Sequence, residues 1–197
     1  MITVLLLLLL PAMSQVQVGL SFQPNWSFKN RDLNWFNYSI SAKSSLVLYR
    51  NLSVILGIGY APEKYDELGW ANPIDRLIPD LYYYHLIQTE LQLSYNFFDR
   101  SKKLSFYGLA GLLLSTSIYQ KSEYSSPPPE TRIDNSINVN NVYLNIGFGL
   151  QYRIKDISFA VEPLYYYSLK EVSFFKDRVG INCVIYYRFA RKANNNG

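Results

Sequence analysis

Two acidic residues and one lysine lie in segments that otherwise alternate apolar and polar side chains, and their types could support chemistry. Lys43, Glu90 and Glu162 each stand on the polar side of such a segment. Two carboxyl groups held close together could act as a general acid and a general base. The same groups could instead form a structural ion-pair network, because a buried charge is costly unless it is paired and hydrogen-bonded.

The single histidine and the single cysteine limit other kinds of catalysis. His85 follows three tyrosines, and no serine follows it in the arrangement that a lipid hydrolase would use. The Gly-x-Ser-x-Gly pattern of a nucleophile elbow does not occur in the sequence. One histidine and Cys183 also provide no cluster of metal ligands. We therefore expect no catalytic residue, no metal and no cofactor.

The elements that position these residues are predicted to be strands. From Asn141 to Ile154, apolar side chains occupy every second position. Successive side chains leave a strand on opposite faces, so this period of two is typical of a strand with one apolar face. The pattern recurs eight times, over residues 16–28, 37–49, 52–62, 81–97, 103–119, 139–154, 157–169 and 178–190.

The connections between these strands alternate in length. Arg50-Asn51, residues 99–102 and Lys155-Asp156 form short turns, whereas the connections on the other side are mostly long, at 29–36, 63–80, 120–138 and the shorter 170–177. Short turns on one rim and longer loops on the other are typical of a bacterial outer-membrane barrel. The sequence therefore predicts an all-β fold, an eight-stranded antiparallel up-and-down transmembrane β-barrel.

Aromatic residues cluster near both ends of the predicted strands, at the two levels where lipid tails meet head groups. The long-loop level contains Trp26, Phe28, Trp35, Phe36, Tyr38, Tyr60, Tyr82, Tyr83, Tyr84, Tyr119, Tyr165, Tyr166 and Tyr167. The short-turn level contains Tyr49, Tyr95, Phe97, Phe106, Tyr107, Tyr152, Phe159, Tyr187 and Phe189. Two such belts favour contact with lipid over a soluble core.

The apolar face is expected to point outward, because the other face carries groups that hydrocarbon would not tolerate. An eight-stranded barrel is just wide enough for its interior to be filled by side chains. Lys43, Glu90 and Glu162 fall on the inward face near mid-height, with Arg153 and Arg188 nearer the short turns. We predict a structural charge network of Lys43, Glu90 and Glu162 in the lumen, completed by Arg188.

The remaining segments are assigned by composition. Residues 1–14 are predicted to be a signal peptide, because a short apolar run ends in small residues. Residues 15–190 form one barrel domain, and residues 191–197 form a disordered tail. The formal charge is +4 and the pI is about 9.0. The basic residues are scattered over turns and loops, which argues against nucleic-acid binding.

Three sequence patterns resemble a known family: Tyr107-Gly-Leu-Ala-Gly111, Glu162-Pro163-Leu-Tyr-Tyr-Tyr167 and Ile185-Tyr-Tyr187-Arg-Phe189. They are similar to the small outer-membrane β-barrel family of Bacteroidota (outer membrane protein beta-barrel domain), and more remotely to OmpA- and OmpX-type barrels. The last pattern looks like the terminal-strand signal that engages the barrel assembly machinery. The resemblance implies a Gram-negative outer-membrane protein, with outer-membrane lipid and the assembly machinery as partners.

The function expected from these observations is a non-enzymatic monomer with a structural or surface-binding role through its outer loops. The long 63–80 loop, with Trp70, Arg76 and Asp80, is the candidate surface for an extracellular ligand or protein. One alternative is a lipid-modifying enzyme of the lipid A deacylase or acyltransferase type, which would need a Ser, Thr or acid beside His85. The other is a soluble lipocalin-like barrel, with a polar outer face and an apolar interior.

Overall fold

The computed structural model describes residues 16–29, 32–66, 81–98, 103–124, 130–134, 138–170 and 177–189. The predicted signal peptide (1–14) and tail (191–197) lie outside these residues. Within the described ranges, no helix is long and apolar enough to cross a membrane.

The described residues form nine antiparallel strands, eight of which close a ring. The strands are β1 Val16–Lys29, β2 Asp32–Tyr49, β3 Leu52–Asp66, β4 Leu81–Asn96, β5 Leu104–Tyr124, β6 Glu130–Asp134, β7 Asn138–Ile154, β8 Ile157–Ser168 and β9 Arg178–Arg188. The ring order is β1, β2, β3, β4, β5, β7, β8 and β9, and β9 pairs again with β1. Among the described residues, the short strand β6 pairs only with the outer end of β5. The predicted eight-stranded antiparallel barrel is therefore confirmed.

Several strands extend further toward the long loops than the sequence predicts. β2 begins five residues before the predicted 37, β3 continues four residues beyond 62, and β5 continues five residues beyond 119. The backbone ladder continues through these residues, which are mainly polar or charged in β3 and β5 and include Leu33, Trp35 and Phe36 in β2. β6, inside the predicted 120–138 loop, extends the β5 hairpin in the same way. Predictions based on apolar alternation miss such segments because their ladder bonds do not depend on an apolar face.

The two faces of the wall have opposite character. Along β9, Asn182, Val184 and Tyr186 are buried, whereas Ile185 and Tyr187 are exposed. The same alternation runs along β4, where Glu90 and Gln92 are buried while Leu91 and Leu93 are half exposed. The exposed outer face is therefore aliphatic and aromatic, and the buried interior is largely polar.

Four of the aromatic residues expected in the two outer belts point into the lumen instead. Tyr82, Tyr84, Tyr107 and Tyr166 are buried, at 9% exposure or less. In a run such as Tyr82-Tyr83-Tyr84, neighbouring side chains must point to opposite faces of the strand. The outer belts are therefore thinner than predicted, and these tyrosines help to fill the interior.

Candidate functional site

Lys43 lies between two carboxylates in the middle of the lumen. Its Nζ atom is 2.7 Å from Oε2 of Glu90 and 3.8 Å from Oε2 of Glu162, and all three side chains are buried. The backbone register places Gly57 of β3 between Lys43 of β2 and Glu90 of β4. Because glycine has no side chain, Lys43 can reach across β3 to Glu90.

Neutral donors complete the shell around both carboxylates. Glu162 accepts hydrogen bonds from the Tyr107 hydroxyl at 2.7 Å and from Asn182 Nδ2 at 2.5 Å. Glu90 accepts one from Asn145 Nδ2 at 3.2 Å. A buried charge is tolerated when it is paired and its remaining lone pairs are satisfied. Both carboxylates of the cluster therefore lie close to the Lys43 ammonium group and accept hydrogen bonds from neutral side chains.

Arg188 does not join this cluster. Along β9 it lies six residues from Asn182, which corresponds to about 20 Å at about 3.3 Å per residue. In the ladder Arg188 pairs with Gln17 of β1, and no ion pair joins it to either carboxylate within the described part of the chain. The structure brings Lys43, Glu90 and Glu162 together and leaves Arg188 at the short-turn end.

A second buried ion pair lies in the lumen, on the long-loop side of the central cluster. Arg178 Nη1 lies 2.7 Å from Glu63 Oε1, and both side chains are almost fully buried. The guanidinium carbon lies 4.2 Å from the Tyr143 ring centroid and 5.4 Å from that of Tyr166. Planar guanidinium groups stack on aromatic faces and suit buried ion pairs.

Sequence reasoning missed this pair because it assigned Glu63 to a loop. The alternation of side chains along β3 nevertheless indicates the inward position of Glu63. Gly57, Gly59, Ala61 and Glu63 share one parity along β3, and that parity faces the lumen. Extending the alternation beyond the last apolar residue would have placed Glu63 inside.

One small cavity lies beside the central cluster. This cavity of about 30 Å³ lies toward the short-turn end, lined by residues that include Tyr107, Arg153 and Tyr186. That volume admits water but not a larger solute. Tyr107 also packs over Gly149, where any Cβ atom would overlap its ring. Tyr107 and Gly149 are therefore in close contact at this height of the lumen.

His85 lies on the outer wall among tyrosines. The Tyr60 hydroxyl is hydrogen-bonded to His85 Nδ1, and the Tyr119 ring stands edge-on with its centroid 5.0 Å from the imidazole centroid. Within the described ranges, no Ser, Thr, Asp or Glu side chain is hydrogen-bonded to His85. The groups around this imidazole are therefore aromatic.

Two further groups of residues complete the inventory of candidate sites. Trp70, Arg76 and Asp80 of the candidate loop surface lie outside the described residues. Among the residues described, no three His, Cys, Asp or Glu side chains are grouped so that they could hold a metal ion.

The comparisons with known proteins identify the fold. No protein-family model and no curated protein matches the sequence. Neisserial surface protein A is 13% identical, with 89% of this chain and 96% of that chain covered at a TM-score of 0.56. A major outer membrane protein from Thermus thermophilus is 12% identical, with 88% of this chain and 99% of that chain covered at a TM-score of 0.54.

A further solved structure has the same architecture. Ail, the attachment invasion locus protein of Yersinia pestis, in complex with the heparin analogue sucrose octasulfate, is 16% identical, with 89% of this chain and 98% of that chain covered at a TM-score of 0.51. At these identities the likeness concerns the fold. This chain is thus an all-β, closed, eight-stranded antiparallel barrel of the architecture found in solved outer-membrane barrels.

Proposed function

We propose that this chain is an integral outer-membrane barrel whose lumen is plugged by the Lys43, Glu90 and Glu162 cluster and whose role is structural or surface-binding. The observation that carries the proposal is the apolar outer wall. Leu20, Ile58 and Ile146 are each at least 60% exposed. Soluble monomers rarely expose apolar patches larger than a few hundred Å², whereas hydrocarbon solvates such a wall.

The distribution of polarity also argues against the soluble lipocalin-like alternative. That alternative needs an apolar interior, but the interior here contains Glu90, Gln92, Asn145 and Glu162. The outward rings of Tyr38, Tyr60, Tyr95 and Tyr187 lie toward the strand ends, where interfacial tyrosines are favoured.

The role in the membrane is proposed to be non-enzymatic. The imidazole of His85 is engaged by Tyr60 and Tyr119, which suits an interfacial side chain. The outer loops, with Trp70, Arg76 and Asp80, remain the proposed surface for an extracellular partner. We also propose that the protein is a monomer, that it is exported through a cleaved signal peptide and assembled by the barrel machinery, and that it comes from a member of the Bacteroidota.

Fractionation and gel mobility test the membrane placement. The full chain, expressed with its first 14 residues in a Gram-negative host, is expected in the outer-membrane fraction. Unheated samples should migrate faster than boiled samples, because the folded barrel is compact in detergent. Recovery of a folded chain in the periplasmic fraction without detergent would overturn the proposal.

Replacing residues 67–80 by a short turn should leave folding intact and remove any extracellular binding.

A further inference from the structure

Four basic residues are spread around the short-turn end of the barrel. Arg50 lies in the turn between β2 and β3, Lys103 lies directly before β5, Lys155 lies in the turn between β7 and β8, and Arg188 ends β9. We call these four residues the cationic rim. Successive members are about two strands apart in the ring order, or about 10 Å. The Debye length is about 10 Å at 0.1 M salt, so the fields of neighbouring members add.

Backbone hydrogen bonds hold most of the cationic rim at one level. The N–H of Arg188 donates to the carbonyl of Asp156, the neighbour of Lys155, at 2.8 Å. The N–H of Arg153 donates to the carbonyl of Lys103 at 2.7 Å. Neighbouring connections are thus tied to each other, and Lys103, Lys155 and Arg188 lie at about the same height on the wall.

Outward aromatic rings lie next to the cationic rim. Tyr49 precedes Arg50 and Tyr187 precedes Arg188, and both rings are about half exposed or more. The guanidinium carbon of Arg50 lies 5.3 Å from the centroid of the Tyr49 ring, so a cation–π contact holds this charge against the wall. Interfacial aromatic rings mark the boundary between lipid tails and head groups. In the proposed membrane orientation, the cationic rim therefore lies at the level of the periplasmic head groups.

Carboxylates do not balance the charge of the cationic rim. Within the described ranges, none of its four members takes part in an ion pair, and Asp156 is the one acidic residue at this end. At the long-loop end, Arg178 Nη1 lies 2.7 Å from Glu63 Oε1. Lys121 Nζ there lies 2.5 Å from Glu123 Oε1. An anion is therefore attracted more strongly to the short-turn end.

Backbone geometry gives no reason for a basic residue in the two-residue turns. Arg50 and Lys155 have φ angles of 37° and 55°. Glycine and asparagine adopt this left-handed region with less strain. Backbone strain of this kind concentrates at positions that serve a function. These two positions therefore favour a role for the charge itself.

We propose that the cationic rim binds the head groups of anionic phospholipids in the periplasmic leaflet. Phosphate oxygens accept charge-assisted hydrogen bonds from ammonium and guanidinium groups. The two-residue turns keep Arg50 and Lys155 close to the wall, which favours lipid over a partner farther out in the periplasm. This inference rests on the proposed membrane placement, because only a bilayer surrounds this end of the barrel with head groups.

Native mass spectrometry of the refolded full chain in neutral detergent tests the cationic rim. Phosphatidylglycerol should bind about fivefold more tightly than phosphatidylcholine of the same chain length, because one basic residue near an anionic lipid surface contributes about that factor. The triple variant Arg50→Gln/Lys103→Gln/Lys155→Gln leaves only Arg188 of the rim. In this variant the affinities of the two lipids should lie within about twofold of each other.

The matched control removes the same charge from the other end of the barrel. It is the triple variant Lys64→Gln/Lys121→Gln/Lys170→Gln, whose net charge equals that of the first variant. The control should keep the preference of the parent for phosphatidylglycerol. Inorganic phosphate at the concentration of the lipid should not displace phosphatidylglycerol from the parent, because a free anion lacks the acyl chains that contact the apolar wall.

Five results would contradict the proposal. They are equal binding of the two lipids by the parent, an unchanged preference in the first variant, an equal loss in the control, displacement by inorganic phosphate, and displacement by poly-L-glutamate at equal charge. The last result would identify a soluble acidic polymer as the partner. Gel mobility before and after boiling, measured on every variant, shows whether the barrel is folded. A folded parent without lipid preference would exclude the lipid site and leave the membrane placement standing, whereas a folded chain recovered without detergent would remove the placement itself.

Discussion

At the scale of single residues, Lys43 is the group on which the central cluster depends. It is the cation in contact with Glu90 and Glu162, and its side chain is only 1% exposed. Glu162 retains two neutral donors when the lysine is removed, whereas Glu90 retains Asn145. Amide and phenol donors do not offset a buried negative charge as an ammonium group does.

Replacing Lys43 by methionine should therefore lower the free energy of unfolding by about 3–5 kcal/mol, because the variant leaves buried carboxylates without a cation. The measurement is urea unfolding of the barrel in detergent micelles, followed by tryptophan fluorescence. Lys155→Met, which removes the same charge from an exposed turn, is the matched control and should change stability by less than about 0.5 kcal/mol.

Adding Glu90→Gln to Lys43→Met tests whether the loss comes from the uncompensated charge. The double variant should be more stable than Lys43→Met alone, since one buried carboxylate is then neutral. Additive losses in this cycle, or a Lys43→Met variant as stable as the Lys155→Met control, would show that the lysine packs without neutralising its neighbours.

At the scale of elements, the tight turns between strands carry the backbone strain. Arg50 and Lys155 have φ angles of 37° and 55°, a region that residues with a Cβ atom rarely adopt. Asparagine visits this left-handed region more readily, because its short side chain hydrogen-bonds locally. We expect Lys155→Asn to raise the free energy of unfolding by about 0.5 kcal/mol. Lys103→Asn, outside a positive-φ position, should bring no gain in the same urea titration, and an equal gain would exclude the backbone explanation.

The apolar alternation in the sequence predicted some strand bounds correctly and missed others. Alternation locates strands wherever one face contacts an apolar medium, and it placed β7 over Asn138–Ile154 within one residue of the predicted 139–154. It fails where a strand continues into polar surroundings, as at Glu63 and in β6. Side chains still alternate between the two faces of the strand in these segments. Glu63 therefore faces the lumen, where it contacts Arg178. Pairings between distant strands, such as this one, depend on register and ring order, which a single sequence does not contain.

At the scale of the whole molecule, the interior is organised in layers along the barrel axis. The Lys43, Glu90 and Glu162 cluster fills the middle, and the Arg178–Glu63 pair with Tyr143 and Tyr166 fills the level above it. Each layer spans the lumen between strands on different sides of the ring, since Lys43 comes from β2 and Glu162 from β8. We therefore propose that the two layers hold different sides of the wall together and plug the lumen.

A filled cross-section predicts that the barrel does not pass solutes, whatever its outer loops do. We expect the middle layer to block a sugar, since a cavity beside it, lined by Tyr107 and Arg153, holds only about 30 Å³. Proteoliposomes containing the folded chain should swell in isotonic glucose no faster than vesicles without protein, whereas vesicles containing a 16-stranded porin should swell rapidly. Swelling at a porin-like rate would mean that the layers open in a bilayer. In that case Lys43→Met should raise the rate further, since it weakens the contact that closes the middle layer.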